Sequence, residues 1–312
     1  MLHFHSLDGL ELHHTWATIG MFDGVHRGHQ SILSLLVQEA HAAGSLAVVI
    51  TFFPHPAVVL RGVQEPIYLT TSEERAELMG RLGVDVVVTL TFDQQLAAMS
   101  AEEFMRRASA SLGLRRLLVG FDFALGRNRQ GDIPTLRHLG EELGYGVQVI
   151  PEVSVDSARV SSSQIRKLVQ EGSVEQAARA LGRPYAIEGR VIQGDRRGRQ
   201  LGFPTANLDY WPKKILPANG VYATWAWVGG SFANSERIPS VTNIGVRPTF
   251  QGVEQRVEAH LLNFNRDLYG QPLKLEFVAF LRPEQRFSSI DALAAQISAD
   301  KQRAQEILAD EP

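Results

Sequence analysis

The hydrophobic period of this 312-residue chain changes once, near Gly182-Arg183-Pro184, and that change limits the folds open to it. Before it come five nearly continuous apolar runs, at residues 16–22, 46–53, 84–92, 116–121 and 147–153. A strand that is apolar on both faces belongs in a parallel sheet covered by helices on both sides. Stretches of helical periodicity lie between the runs, at about 28–43, 72–82, 101–112 and 133–143. Two of them carry start signals: Thr71-x-x-Glu74 and Ser100-x-x-Glu103 each read as a capping box ahead of an amphipathic run. Strands alternating with helices predict a doubly wound α/β domain. Ligands of such sheets bind beyond the carboxyl ends of the strands. Residues 20–29, 51–56 and 121–132 all fall there.

Helices at about 162–171 and 174–181 lead up to the change of period. After it, short strand candidates at 186–193, 220–228, 238–244, 256–264 and 273–281 are punctuated by Gly and Pro. Arg256-Val257-Glu258-Ala259-His260-Leu261 alternates polar with apolar, as a half-buried strand does. This spacing predicts a small barrel or sandwich, followed by a closing helix over 290–308 that Ser288-x-x-Asp291 would cap. The length suits two cores rather than one, so the expected domains are 1–182 and 183–312.

A net charge of −3 argues against a general nucleic-acid binder, which carries a basic excess. There is no cysteine, which excludes disulfides, thiolate zinc sites and cysteine nucleophiles and fits a reducing compartment. The first fourteen residues are too polar for a signal peptide, and no apolar run approaches a membrane span. The expectation is a cytoplasmic, soluble protein with no membrane or nucleic-acid partner. His3, His5, His13 and His14 lack an accompanying carboxylate pattern and read as a half-exposed edge strand rather than a metal cluster.

Two loops carry chemistry. Gly20-Met21-Phe22-Asp23-Gly24-Val25-His26-Arg27-Gly28-His29 leaves a strand and opens a helix. The unpaired N–H groups and positive dipole end of a helix N-terminus attract phosphate. His26 and His29 would add side-chain donors, and Gly28, with no Cβ, lets a ligand approach the backbone. The second loop runs from Gly194 to Leu208 and is basic, with Gly194, Gly198 and Gly202 free to fold N–H groups around phosphate and Pro204 stiffening it. It is not a Walker A loop, because no GxxxxGK[S/T] occurs in the chain.

These blocks resemble the bacterial bifunctional riboflavin kinase/FAD synthetase family. In the first half the match comprises GMFDGVHRGH, the block from Ser161 to Arg166 (SSSQIR) and the block from Gly120 to Asp132, where Leu125 replaces the usual Phe. In the second half it comprises GRQLGFPTANL, PANGVY, TNIGVRPTF and VEAHLLNF followed by DLYG. The resemblance implies an HxGH nucleotidyltransferase-like domain that joins FMN and ATP into FAD and pyrophosphate, ahead of a small antiparallel β-barrel that phosphorylates riboflavin with MgATP. Flavins are then substrates and products, not cofactors.

Carried onto this chain, His26, His29 and Arg166 stabilise adenylyl transfer. Gly20, Phe22, Asp23, Gly24, Gly28, Ser161, Ser162 and Ser163 surround the ATP phosphates, with Asp23 either fixing the loop through backbone amides or acting near the metal. Phe52, Phe53, His55, Asp122, Arg127 and Arg129 are flavin-pocket candidates; a buried strand end and a solvated basic loop are the plain alternatives. Thr205 and Asn207 would hold Mg²⁺, Gly194, Gly198, Gly202 and Pro204 would cradle phosphate, and Glu258 would be the general base. Asn263 stands where the family commonly has Asp and is given no role. One rival reading is an HxGH adenylyltransferase acting on a pantetheine or nicotinamide mononucleotide. Another is a non-catalytic flavin-binding regulator, disfavoured by a retained candidate base.

Overall fold

The computed structural model describes residues 1–64, 67–151, 154–155, 158–194, 202–229, 236–249 and 252–309. By contacts the chain divides into two compact units, Met1–Ser162 and Ser163–Pro312.

In the first unit, β1 (Leu2–Phe4), β2 (Thr15–Ile19), β3 (Leu46–Phe53), β4 (Val86–Thr91), β5 (Leu114–Gly120) and β6 (Gly146–Ile150) form one sheet. Its order is β1-β4-β3-β2-β5-β6, with every pair parallel. The helices are α1 (Arg27–Ala42), α2 (Pro56–Arg61), α3 (Ser72–Arg81), α4 (Gln94–Ala98), α5 (Ala101–Leu112) and α6 (Ile133–Leu143). Successive side chains of a strand alternate faces. Val48 and Ile50 therefore pack with Phe104, Met105 and Leu136 of α5 and α6, while Ala47 and Val49 pack with Leu33, Leu36 and Met79 of α1 and α3. Both faces are covered, which is why these strands read as continuous apolar runs.

The winding departs from β2 toward β3 on one side and toward β5 on the other, so the β2/β5 boundary is the topological switch point. Both expected capping boxes form, with the Thr71 and Ser100 hydroxyls accepting the Glu74 and Glu103 N–H groups and the glutamates returning the bond. β1 is the edge strand, where His3 meets the Thr89 hydroxyl at 2.9 Å. The short helices α2 and α4 are not legible in the sequence. Each is a single capped turn or so, started by His55 and Asp93, and too brief to show a period. A two-stranded hairpin, β7 (Ser154–Val155) with β8 (Ala158–Arg159), ends the unit's sheet structure.

The second unit opens with α7 (Ser162–Gln170) and α8 (Val174–Leu181), and the Glu175 carboxylate of α8 accepts the Phe280 N–H at 3.1 Å. Then follow β9 (Tyr185–Ile192), β10 (Ala206–Tyr210), β11 (Gly220–Val228), β12 (Glu236–Thr249), β13 (Gly252–Leu261) and β14 (Pro272–Arg282). They close in the order β10-β13-β12-β11-β14-β9 with antiparallel pairing throughout, so the choice between sandwich and barrel resolves to a barrel. Closure removes the exposed edges that six short strands would leave. β10, which the sequence pattern does not reveal, is the strand that closes the ring, by pairing with both β9 and β13.

α9 (Ile290–Ala309) lies on the barrel's outer face, packing Ala304 and Leu308 against Val221, Val241 and Leu262. It is fastened by the buried Asp300 carboxylate, which accepts three bonds from the Arg282 guanidinium at 2.7–3.0 Å. The expected cap moves by one residue: the Ala292 N–H donates to Ser289 Oγ at 3.1 Å, so Ser289 rather than Ser288 starts the helix. Among the described residues, no helix is long and apolar enough to cross a membrane.

Candidate active sites

The loop between β2 and α1 is held in an unusual backbone path. Phe22, Gly24 and Val25 have φ of 48°, 81° and 41°. For a β-branched residue such as Val25 that region is strained, and packing must hold it there. Phe22 and Val25 are buried in the core beneath α1. Asp23 supplies the rest of the restraint: its carboxylate accepts the Leu69 and Thr70 N–H groups and the Thr70 hydroxyl at 3.1–3.2 Å. At 1% exposure it ties the loop to Leu69 and Thr70. Gly20 ends β2, where a Cβ would lie 2.9 Å from the Phe22 ring.

The strained path delivers the two histidines to one point. His26 is the N-cap of α1, its Nδ1 accepting the His29 backbone N–H at 3.3 Å. In the neutral ring the proton therefore sits on Nε2. The His29 ring stacks on it with centroids 3.6 Å apart and takes the Phe22 ring edge-on at 5.1 Å. Burial above all, then the neighbouring His26 and the Arg75 guanidinium, hold the His29 pKa well below the usual histidine value. His29 is thus neutral at physiological pH, and its Nδ1 is buried without a hydrogen-bond partner among the described residues. Arg75 is fully buried below the loop, donating to the Met21 carbonyl at 2.8 Å and the Thr51 hydroxyl at 3.0 Å.

His26, Gly28 and His29 line a cavity of about 290 Å³ together with Phe121, Asp122, Ser161 and Ser162. It lies beyond the carboxyl ends of β2, β5 and β6, at the switch point. At Gly28 a Cβ would come within 3.3 Å of the His26 ring. Ser162 Oγ donates to the Asp23 carbonyl at 2.9 Å and so ties the end of the unit to the loop. Ser163 and Arg166 lie on α7, which contacts assign to the second unit.

The flavin candidates separate. Asp122 lines the cavity, beside an exposed Phe121 that belongs to the same block but that no sequence signal sets apart. Phe52 packs against Phe92 and Phe104, Phe53 against Tyr68, and His55 caps α2, all at the end of β3 and outside the cavity lining. Arg127 and Arg129 are exposed, with Arg129 donating to the Asp122 carbonyl at 2.9 Å.

In the second unit the register assembles the site. Asn207 of β10 is paired directly with Glu258 of β13, which is paired in turn with Asn243 of β12. Directly paired residues share a face, so the two carboxamides flank the carboxylate in one row. The period of two adds Arg256 and His260 to that face of β13 and turns Val257, Ala259 and Leu261 to the other. Asn243 and His260 fall inside the TNIGVRPTF and VEAHLLNF blocks but carry no assigned role there, and Arg256 precedes the second block; the alternation around Glu258 already sets Arg256 and His260 beside it.

Pro204, Thr205 and Asn207 line a cavity of about 380 Å³ together with Gly194. At Gly194 a side chain would collide with the Asn207 carboxamide, which explains glycine where the chain leaving β9 passes that residue. Gly202 is exposed with φ of 82°. Gly198 lies outside the described residues. Asn263 is exposed with φ of 54° in the turn after β13, a conformation that Asn tolerates better than most residues.

A family model described as FAD synthetase matches residues 10–164, and one described as riboflavin kinase matches residues 181–308. A bifunctional riboflavin kinase/FMN adenylyltransferase of Pseudomonas fluorescens is 41% identical over 295 residues, covering 94% of this chain and 93% of that protein. The chain belongs to this bifunctional family. Relatives of the same description in Escherichia coli K12 and Listeria monocytogenes are 37% and 35% identical, covering 93% and 91% of this chain and 91% and 89% of theirs. A solved structure from Streptococcus pneumoniae, described as a macrolide-efflux protein, shares the fold with a TM-score of 0.88 at 27% identity, over 97% of this chain and 98% of that one. The two family matches leave out residues 165–180, most of α7 and α8.

Proposed function

We propose that the chain converts riboflavin to FAD at two sites, the barrel phosphorylating riboflavin to FMN and the α/β unit adenylylating FMN. The observation that carries this reading is the presence in one chain of a stacked histidine pair at a sheet switch point and a Glu258 carboxylate flanked by carboxamides on a barrel wall. We assign residues 1–182 to adenylylation and 183–312 to phosphorylation, a functional boundary placed at the change of hydrophobic period near Gly182-Arg183-Pro184.

In the barrel, Glu258 accepts the proton of the ribityl hydroxyl as its oxygen attacks the γ-phosphorus of ATP and ADP leaves. Thr205 and Asn207 suit Mg²⁺, because two neutral oxygens on one cavity wall leave its charge to be balanced by phosphate. Mg²⁺ bound with ATP would neutralise charge on the transferred phosphoryl group. Gly194 and Pro204 shape the wall of that site.

In the α/β unit, an FMN phosphate oxygen attacks the α-phosphorus of a second ATP and pyrophosphate leaves. His26 donates from Nε2 and His29 from a neutral ring, at the N-terminus of α1, so both act as fixed donors to developing charge rather than as proton carriers. Ser161, on the cavity wall, serves as a further donor, and the family resemblance adds Ser163 and the Arg166 cation to the phosphate-binding set. Asp122 and the exposed Phe121 are the flavin contacts this geometry favours; Phe52, Phe53 and His55 pack the end of β3. ATP as the shared substrate, with a cysteine-free chain, fits work in the cytoplasm.

Incubating the protein with riboflavin, ATP and Mg²⁺ and separating the flavins over time tests both steps. FMN should rise and then give way to FAD. FMN without FAD would send the first site to another acceptor, and bound flavin with no conversion would favour the regulator.

A further inference from the structure

None of the chemistry above uses His260, which follows Glu258 by two residues on the same face of β13 and is only 9% exposed. Its Nδ1 lies 2.7 Å from the Pro204 carbonyl oxygen. A carbonyl only accepts, so Nδ1 carries the proton and Nε2 keeps a bare lone pair. That Nε2 is buried with no hydrogen-bond partner among the described residues. Burial, more than the nearby Lys301 ammonium, holds the ring's pKa below the usual value, although the bond to Pro204 opposes both. The ring is therefore neutral and its tautomer is set.

The segment it grips lies just outside the β ladder. Pairing of β10 with β13 starts at Ala206 opposite Ala259, so Pro204 and Thr205 precede the first ladder pair. Pro204 has no N–H to donate, and Thr205 is exposed at the cavity wall. Phe203 meets the His260 ring edge-on at 5.8 Å, and the Lys301 ammonium of α9 lies 5.5 Å from the Phe203 ring centre. The irregular segment is thus held at two successive residues, one by a ring contact and one by a hydrogen bond. Both contacts end on His260.

We propose that His260 is a positioning residue for the kinase reaction: by holding the Pro204 carbonyl it sets where the Thr205 hydroxyl stands beside Asn207, and so the binding of the Mg²⁺ that accompanies ATP. The inference rests on the kinase reading of the barrel. A hydrogen bond that fixes this part-buried carbonyl needs a donor on a short, stiff side chain. Asparagine can place its amide N–H about where Nδ1 stands; leucine fills similar space and donates nothing.

The test uses the full chain with His260→Leu and His260→Asn. Riboflavin phosphorylation is measured against Mg²⁺ and ATP, and adenylylation of supplied FMN in the same samples. His260→Leu should raise the half-saturating Mg²⁺ and the KM for ATP and lower kinase kcat/KM by about 10- to 100-fold, the scale of one lost positioning hydrogen bond. His260→Asn should recover most of that loss, and adenylylation should be unchanged in both. The proposal is overturned if His260→Leu keeps the wild-type Mg²⁺ dependence, if only kcat falls, or if His260→Asn is as impaired as His260→Leu. A wild-type chain that makes no FMN would instead remove the kinase reading itself.

Discussion

In the α/β unit the chemistry-bearing residues are sequence neighbours: His26 and His29 occupy one turn, and the loop before them is bent through left-handed backbone at Phe22 and Val25 to bring them together. In the barrel they are remote in sequence, and Asn207, Asn243 and Glu258 meet because three strands pair in one register. The first arrangement stores strain and depends on a buried staple, Asp23. The second stores none locally but depends on register, because a one-residue slip would turn every side chain to the opposite face. A motif search finds the histidine pair whole. It finds only fragments of the barrel site.

The sharpest break of this comparison is chemical. Glu258→Gln should lower riboflavin phosphorylation by about 10²- to 10⁴-fold, the range of a general base, with FMN-to-FAD conversion intact when each reaction is assayed from its own substrate. His29→Ala should do the reverse, lowering FAD formation by about 10²- to 10³-fold, as for a lost charge-stabilising donor. If both activities fell together in folded single variants, the separation of the sites would fail.

Next comes the staple. Asp23→Ala leaves two buried N–H groups and a hydroxyl without their acceptor, and should destabilise the first unit by about 3 kcal/mol. Thermal unfolding should report it, with FAD formation impaired and FMN formation kept. An Asp23→Ala protein of wild-type stability would mean that packing alone holds the bent loop.

Acid should then weaken the first unit through His29. Its folded pKa is depressed by burial, His26 and Arg75, while the unfolded value is about 6.5. The unfolded chain therefore takes up the proton first as pH falls, and the stability is whole above about pH 6.5 and declines below it. Protection of α1 amides against hydrogen exchange should fall between about pH 7.5 and pH 5.5, and His29→Asn should flatten the change. An equal fall in His29→Asn would assign the effect to another group. The smallest effect concerns α9, where Ser289→Ala should cost about 1 kcal/mol of stability by denaturant titration and Ser288→Ala almost nothing.

Much of the fold is legible in the residues themselves. The continuous apolar runs point to a sheet covered on both faces, since burial on both sides leaves no polar alternation. The capping boxes at Thr71 and Ser100 form as their spacing predicts, because a cap is a contact between residues three apart. The HxGH loop is readable for the same reason. β10 is not, because Ala206–Tyr210 is a five-residue strand with too few turns of pattern to show a period, and it reads as the tail of a glycine-rich loop. Phe52, Phe53 and His55 look like flavin contacts because they stand at a strand end. Folding adds what the sequence does not show: Phe52 meets Phe92 and Phe104, Phe53 meets Tyr68, and His55 starts α2.

Local chemistry in the chain is enough to establish the two-part architecture, the histidine loop and the family, because each rests on neighbours, on periods or on blocks of consecutive residues. The barrel's closure, the row of Asn207, Glu258 and Asn243, the inward turn of Asp23 and the grip of His260 on Pro204 come only with folding. Each depends on which distant segment lies opposite, and register and side-chain direction have no signature in any single stretch of sequence.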